Sequence, residues 1–219
     1  MSSAIIQLLV LAGIAVFLIL RLRNVLGTRE GFEKPPVQAP QEARKGRPDL
    51  EVIEGGPDRD ITDHVDGDSD AAKALAAMKL VEPDFSVSEF LEGARGAYEM
   101  ILMAFERGEI DSIALFLGEE VHQTFVDVVG EREDQGLTIE ANFIGVRELT
   151  LTDATFDENL REAEITVKFV GELTSAVRDA SGEIIEGNPN DIKRQKDSWT
   201  FAREMGANDP NWRLVATGE

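Results

Sequence analysis

Few residues in this chain have the type and spacing that chemistry needs. The two histidines, His64 and His122, lie far apart. Neither has a second base or a nucleophile at a useful spacing, so paired acid–base catalysis has no foothold. Asp66-Gly67-Asp68-Ser69-Asp70 begins like a calcium loop, which needs glycine at its sixth position and glutamate at its twelfth. Those positions hold Ala71 and Ala77, and the reading fails. There is no Gly-x-Ser-x-Gly elbow and no glycine-rich loop to cradle phosphate. With no cysteine, thiol nucleophiles, disulfides, zinc-thiolate sites and iron–sulfur clusters are excluded. The expectation is therefore a protein with no catalytic residue, no cofactor and no metal. What remains is aromatic: Tyr98, Leu102, Phe105, Phe169, Trp199, Phe201, Arg203 and Trp212 form the candidate wall of an apolar pocket, with core packing as the competing role. Trp199 and Trp212 read as cross-strand neighbours on one sheet face. Arg203 reads as an ion-pair partner, given the surplus of carboxylates.

Those side chains need elements to hold them. Ser86 and Glu89 have capping-box spacing. Behind them Val87, Phe90, Leu91, Ala94, Tyr98, Ile101, Leu102 and Phe105 recur at three and four residues, which predicts a helix from about Ser86 to Arg107, ended by Gly108. A second helical pattern runs through Ile110, Ile113 and Leu117, is interrupted at Gly118, and resumes with Val121, Phe125, Val128 and Val129. From Leu137 the period changes to two. Strands are predicted near Ile139–Leu151, Arg161–Val177, Lys196–Arg203 and Trp212–Thr217, with turns at Asp179–Gly182 and Asn208–Asn211. Tight turns favour antiparallel order. The fold class expected is α+β, two helices against one face of a curved four-stranded antiparallel sheet.

The N-terminus is of another kind. From Ala4 to Leu20 no residue is charged, and Arg21 and Arg23 follow at once. As a helix this run is about 25 Å long, and Leu22, Val25 and Leu26 extend it toward the roughly 30 Å of a hydrocarbon core. It reads as a membrane anchor over residues 1–26, with Ile5, Leu8, Leu11, Phe17 and Leu20 in lipid and Arg21 and Arg23 at the headgroups. No basic n-region and no Ala-x-Ala site favour cleavage. The arginines place the rest on the cytoplasmic side and the N-terminus outside. Residues 27–80, with Pro35-Pro36, Pro40, Pro48 and Pro57, read as a charged, proline-rich linker, and its last stretch, Ala71–Leu80, as a short helix. The domain proper is expected over 81–219.

Charge narrows the partners. The net charge is −20. Residues 81–219 hold 12 Lys and Arg against 30 Asp and Glu, a net of −18. That surface repels nucleic-acid phosphate, so no nucleic-acid partner is expected. A polypeptide partner is easier to accommodate. Lys34, Arg44, Lys45 and Arg47 offer a weaker contact with anionic lipid.

Four motifs, taken in order, resemble one known family. They are Ala104-Phe105-Glu106-Arg107-Gly108-Glu109-Ile110-Asp111 at the end of the first helix, Leu115–Phe125 in the next, Asp197-Ser198-Trp199-Thr200-Phe201-Ala202-Arg203, and Asp209-Pro210-Asn211-Trp212-Arg213-Leu214-Val215-Ala216-Thr217. Together they resemble the Tim44-like domain family in its bacterial TimA-type form, over roughly residues 81–219 and the anchor in outline. The resemblance implies a cystatin-like or nuclear-transport-factor-two-like cone, a bent sheet wrapped on a long helix around an apolar pocket. It implies a membrane-associated adaptor at the bacterial inner membrane that binds a protein partner, in translocation or membrane-complex assembly. The alternative is a module, or minor enzyme, that binds a small apolar ligand or lipid in the cone.

Overall fold

The computed structural model describes residues 58–218. The expected membrane helix, and the linker up to Pro57, lie outside the described residues. Four helices, α1 (Arg59–Thr62), α2 (Asp70–Val81), α3 (Val87–Arg107) and α4 (Glu119–Asp134), precede four strands, β1 (Thr138–Asp157), β2 (Glu162–Arg178), β3 (Ile184–Glu204) and β4 (Arg213–Gly218). A 3₁₀ helix, Ile110–Phe116, joins α3 to α4. The sheet is an open antiparallel meander in the order β1-β2-β3-β4. Among the described residues no helix is long and apolar enough to cross a membrane.

Local signals set α3. The Ser86 hydroxyl accepts the Glu89 N–H at 3.3 Å. Gly108 takes the left-handed conformation, φ 76°, which only glycine adopts cheaply, and the chain turns back there onto the carbonyls of Ala104 and Phe105. Between these caps, one stripe of α3 (Val87, Phe90, Leu91, Ala94, Tyr98, Ile101 and Leu102) is buried. The stripe lies against β1, and its Tyr98 meets Phe169 of β2, whose inner positions Ala163, Ile165, Val167 and Phe169 are at most 1% exposed. Gly118 starts α4 where the backbone passes close to β4. Its N–H donates to the Leu214 carbonyl at 2.7 Å, and a Cβ there would lie 3.1 Å from Val215.

The packed structure begins well before Val81, correcting the expected linker boundary. Ser69 caps α2 by accepting the Ala72 N–H at 3.1 Å. Ala71, Ala72, Leu75 and Met78 form its buried stripe, and Leu75 and Met78 are fully buried. Alanine on that stripe lets α2 lie close on β1, which it packs against. The helix stretch foreseen over 71–80 is thus part of the core, and His64 sits on the folded unit with its ring nitrogen 3.1 Å from the Ser88 hydroxyl. A third packed helix joins the two expected.

Two strand expectations also change. β3 starts at Ile184 rather than Lys196, because Gly187 (φ 75°) and Pro189 are accommodated within the strand. β4 pairs only with Ser198–Ala202, and between Asn188 and Lys193 β3 bulges away from its β2 register, so no ladder needs the N–H that Pro189 lacks. The two tryptophans are not cross-strand neighbours. Thr217 faces Trp199, Leu214 faces Phe201, the register slips between Thr200 and Phe201, and Trp212 precedes β4.

Candidate functional site

The eight aromatic-wall candidates separate into three places. Tyr98, Phe169 and Trp199 make a stack in the core. The Tyr98 ring lies parallel to Phe169 with centroids 4.4 Å apart, and Trp199 is 4.8 Å away. The Tyr98 hydroxyl donates to Asp197 Oδ2 at 2.5 Å. Burial first, and then the adjacent carboxylate, push the phenol above its ordinary pKa, so it stays a donor. Gly171 makes room for it: a Cβ there would lie 2.7 Å from the hydroxyl. Tyr98 and Phe169 are buried completely or nearly so, 0% and 1% exposed, and join helix to sheet rather than line a pocket.

Leu102, Phe105 and the edge of Trp199 border a shallow cavity of about 240 Å³ with Phe125 and Glu106. Phe105 and Phe125 pack at 4.5 Å, and the Arg132 guanidinium lies 4.5 Å over the Phe105 ring. Burial raises the Glu106 carboxyl above the usual range, although Arg132 and Lys193 pull the other way.

Phe201, Arg203 and Trp212 line a third place, a groove of about 340 Å³ open to solvent. Its floor is the first half of α3 (Phe90, Gly93, Ala94 and Ala97). One rim is the connection from α2, Glu82–Ser86, and the other is Pro210–Trp212. Trp212 is half-buried and packs at 4.7 Å on Phe90 and 5.9 Å on Phe85. Arg203 stacks under it at 5.1 Å. The ion pair expected of Arg203 is made with Glu82, Nη2 to Oε1, at 2.8 Å, and Nη1 donates to the Pro210 carbonyl at 3.3 Å. Its Nε–H is buried without a protein partner. Burial works to raise the Glu82 carboxyl, but the Gly206 N–H and Arg203 outweigh it and hold the group below the ordinary value. Glu82, Asp84 and Glu89 give the mouth an acidic edge. Among the described residues no group of three His, Asp or Glu gathers to hold a metal.

Phe90 was expected only as part of the α3 stripe, and Phe85 not at all. Phe85 and Phe90 flank the Ser86 cap at the two positions of a hydrophobic staple, a signal that was available. Asp60 had no such signal. Its carboxylate accepts the N–H groups of Val87 at 2.7 Å and Ser88 at 3.0 Å, so the start of α3 is capped from α1 as well as by Ser86. Lys79 pairs with it at 2.8 Å. Burial opposes these contacts, and they still hold the carboxyl far below its usual value.

Fold and groove define an α+β module that presents an aromatic trough at its surface. The chain belongs to the Tim44-like domain family, whose profile matches residues 71–219. It is 22% identical over 150 residues to human "Mitochondrial import inner membrane translocase subunit TIM44", a match covering 67% of this chain and 33% of that protein. The rat protein of the same name is 21% identical over the same span. The chain thus spans about a third of the length of the curated relatives it matches. Among solved structures, the intermembrane space region of the chloroplast protein ARC6 overlaps 66% of this chain and 94% of its own, at 13% identity and a TM-score of 0.36, a likeness too loose to establish a common fold.

Proposed function

We propose that this protein is an adaptor, held at the cytoplasmic face of the bacterial inner membrane by residues 4–26, that binds a polypeptide partner in its α3 groove during protein translocation or assembly of membrane complexes. The observation that carries the reading is the groove itself. Trp212 and Phe116, both half-buried, border a solvent-open trough of about 340 Å³ backed by the buried rings of Phe85, Phe90 and Phe201 and rimmed by carboxylates. An apolar trough with a few placed polar groups is the usual form of a recognition site, and aromatic side chains supply most of the binding energy at protein interfaces. Membership of a family that includes mitochondrial import-translocase subunits supports a polypeptide as the occupant. The cone-like wrapping of the sheet around α3 belongs to the same proposal, as does the absence of catalysis.

The test is chemical cross-linking of the full chain in its own membranes, followed by mass spectrometry. Specific proteins should be recovered with cross-links clustered around the groove, and deletion of Ala4–Leu20 should lose them. Recovery of no partner under gentle cross-linking contradicts the proposal.

A further inference from the structure

The rim formed by Glu82–Ser86 is a strap held at two points. At its start, the Glu82 carboxylate accepts from Arg203 Nη2 at 2.8 Å and from the Gly206 N–H at 3.0 Å. At its end, the Asp60 carboxylate takes the Ser86 hydroxyl at 3.1 Å and the Val87 and Ser88 N–H groups. Between these holds the strap closes on itself, with the Phe85 N–H donating to the Glu82 carbonyl at 2.9 Å, and the Phe85 ring packs on Trp212. The second hold comes from α1, an element of four residues with one buried side chain, Ile61. Such an element sits at the low-stability end of a fold.

We propose that α1 is a latch that sets the width of the groove. Docked, it keeps Phe85 on Trp212 through Asp60. When α1 leaves, the strap keeps its Glu82 hold but loses the other, Phe85 moves off Trp212, and the trough widens toward α3. Lys79 fastens the latch by pairing with both Asp58 at 2.7 Å and Asp60 at 2.8 Å. The device rests on the groove being the binding site, but its own movement needs no partner.

Backbone hydrogen exchange on the purified full chain in detergent tests it. Asp60→Ala removes the hold. The diagnostic amide is Phe85, which bonds to the Glu82 carbonyl and not to Asp60. A latch predicts that it exchanges about a hundredfold faster and through an opening smaller than the global unfolding that Ala163–Phe169 of β2 report, while Gly206, on the Glu82 hold that is kept, exchanges no faster than global unfolding requires. If faster exchange is confined to Val87 and Ser88, Asp60 is only a helix cap and the latch is refuted. Should Asp60→Ala not fold, Lys79→Met decides. It leaves the Asp60 acceptors in place and is expected to speed the Phe85 amide about tenfold, and no change there overturns the proposal. Because no partner enters the assay, the result separates failure of the latch from failure of the groove as a binding site.

Discussion

Gly171 is the position where one added methyl reads most about how this fold is held. A Cβ there would sit 2.7 Å from the Tyr98 hydroxyl and 2.9 Å from the ring edge, well inside contact distance. Tyr98 has nowhere to go. It is fully buried, stacked on Phe169, packed against Trp199 and bonded to Asp197. Gly171→Ala therefore overpacks the core, at about 1–3 kcal/mol, and strains a hydrogen bond to a carboxylate worth about 1.5–3 kcal/mol. Together these give about 3–5 kcal/mol. For a domain of this size, where 1 kcal/mol moves Tm by about 2–4 °C, the expected fall is about 10–15 °C, measured by calorimetry and by near-ultraviolet dichroism of the aromatic stack. Adding Tyr98→Phe to Gly171→Ala removes the closest atom but not the ring edge, so the double variant should recover part of the loss. A double-mutant cycle should show about 1–2 kcal/mol of coupling. A Gly171→Ala protein melting with the wild type would refute the packing described for α3 on β2.

Asp60→Ala should cost about 2–4 kcal/mol at neutral pH, since it strips an ionised acceptor from the α3 N-terminus. The Asp60 carboxyl is held below its unfolded value, so its stabilisation is complete above the unfolded value and is lost as pH falls toward the folded one. The variant's stability should accordingly decline less than the wild type's between about pH 5 and pH 2, as followed by urea melts. Glu106 has the opposite sign: burial raises its carboxyl, so ionisation at neutral pH works against folding. Glu106→Gln should melt at the same temperature as the wild type or higher at pH 7, with the difference shrinking on acidification. Arg203→Ala leaves the Glu82 carboxylate without its guanidinium and should cost about 3 kcal/mol in chemical denaturation. Arg203→Lys should recover little of it, because an ammonium cannot bond Glu82 and Pro210 and stack under Trp212 at once.

What the sequence showed depended on how local each signal was. α3 was legible end to end because its Ser86 cap, its apolar stripe and Gly108 all lie within the helix or beside it. The break at Gly118 was legible for the same reason. The start of β3 was hidden because Gly187 and Pro189 are turn residues in most settings, whereas here Gly187 pairs with Ala176 of β2 and Pro189 falls in a bulge that no ladder claims. α2 was visible as a helix but not as core, since alanine carries little hydropathy and its partner β1 lies some seventy residues on. The groove was only partly visible. Phe201, Arg203 and Trp212 were among the aromatic-wall candidates, whereas Tyr98 and Phe169 point at one another. Its missing wall, Glu82 and Phe85, and the Asp60 hold behind it are joined across gaps in sequence that no periodicity spans.

Whether a polypeptide occupies the α3 groove can be read from inside the groove. Gly93 lies on the groove floor with no atom within 4 Å of where its Cβ would stand, so a photo-reactive aromatic amino acid fits there without disturbing the fold. Placed at Gly93 in the full chain and irradiated in native membranes, it should give discrete protein adducts. The same group at the exposed Ile185 of β3 should give none of them, and Trp212→Ala should abolish them. Adducts of equal pattern from both positions, or none from Gly93, would mean that the groove holds no polypeptide.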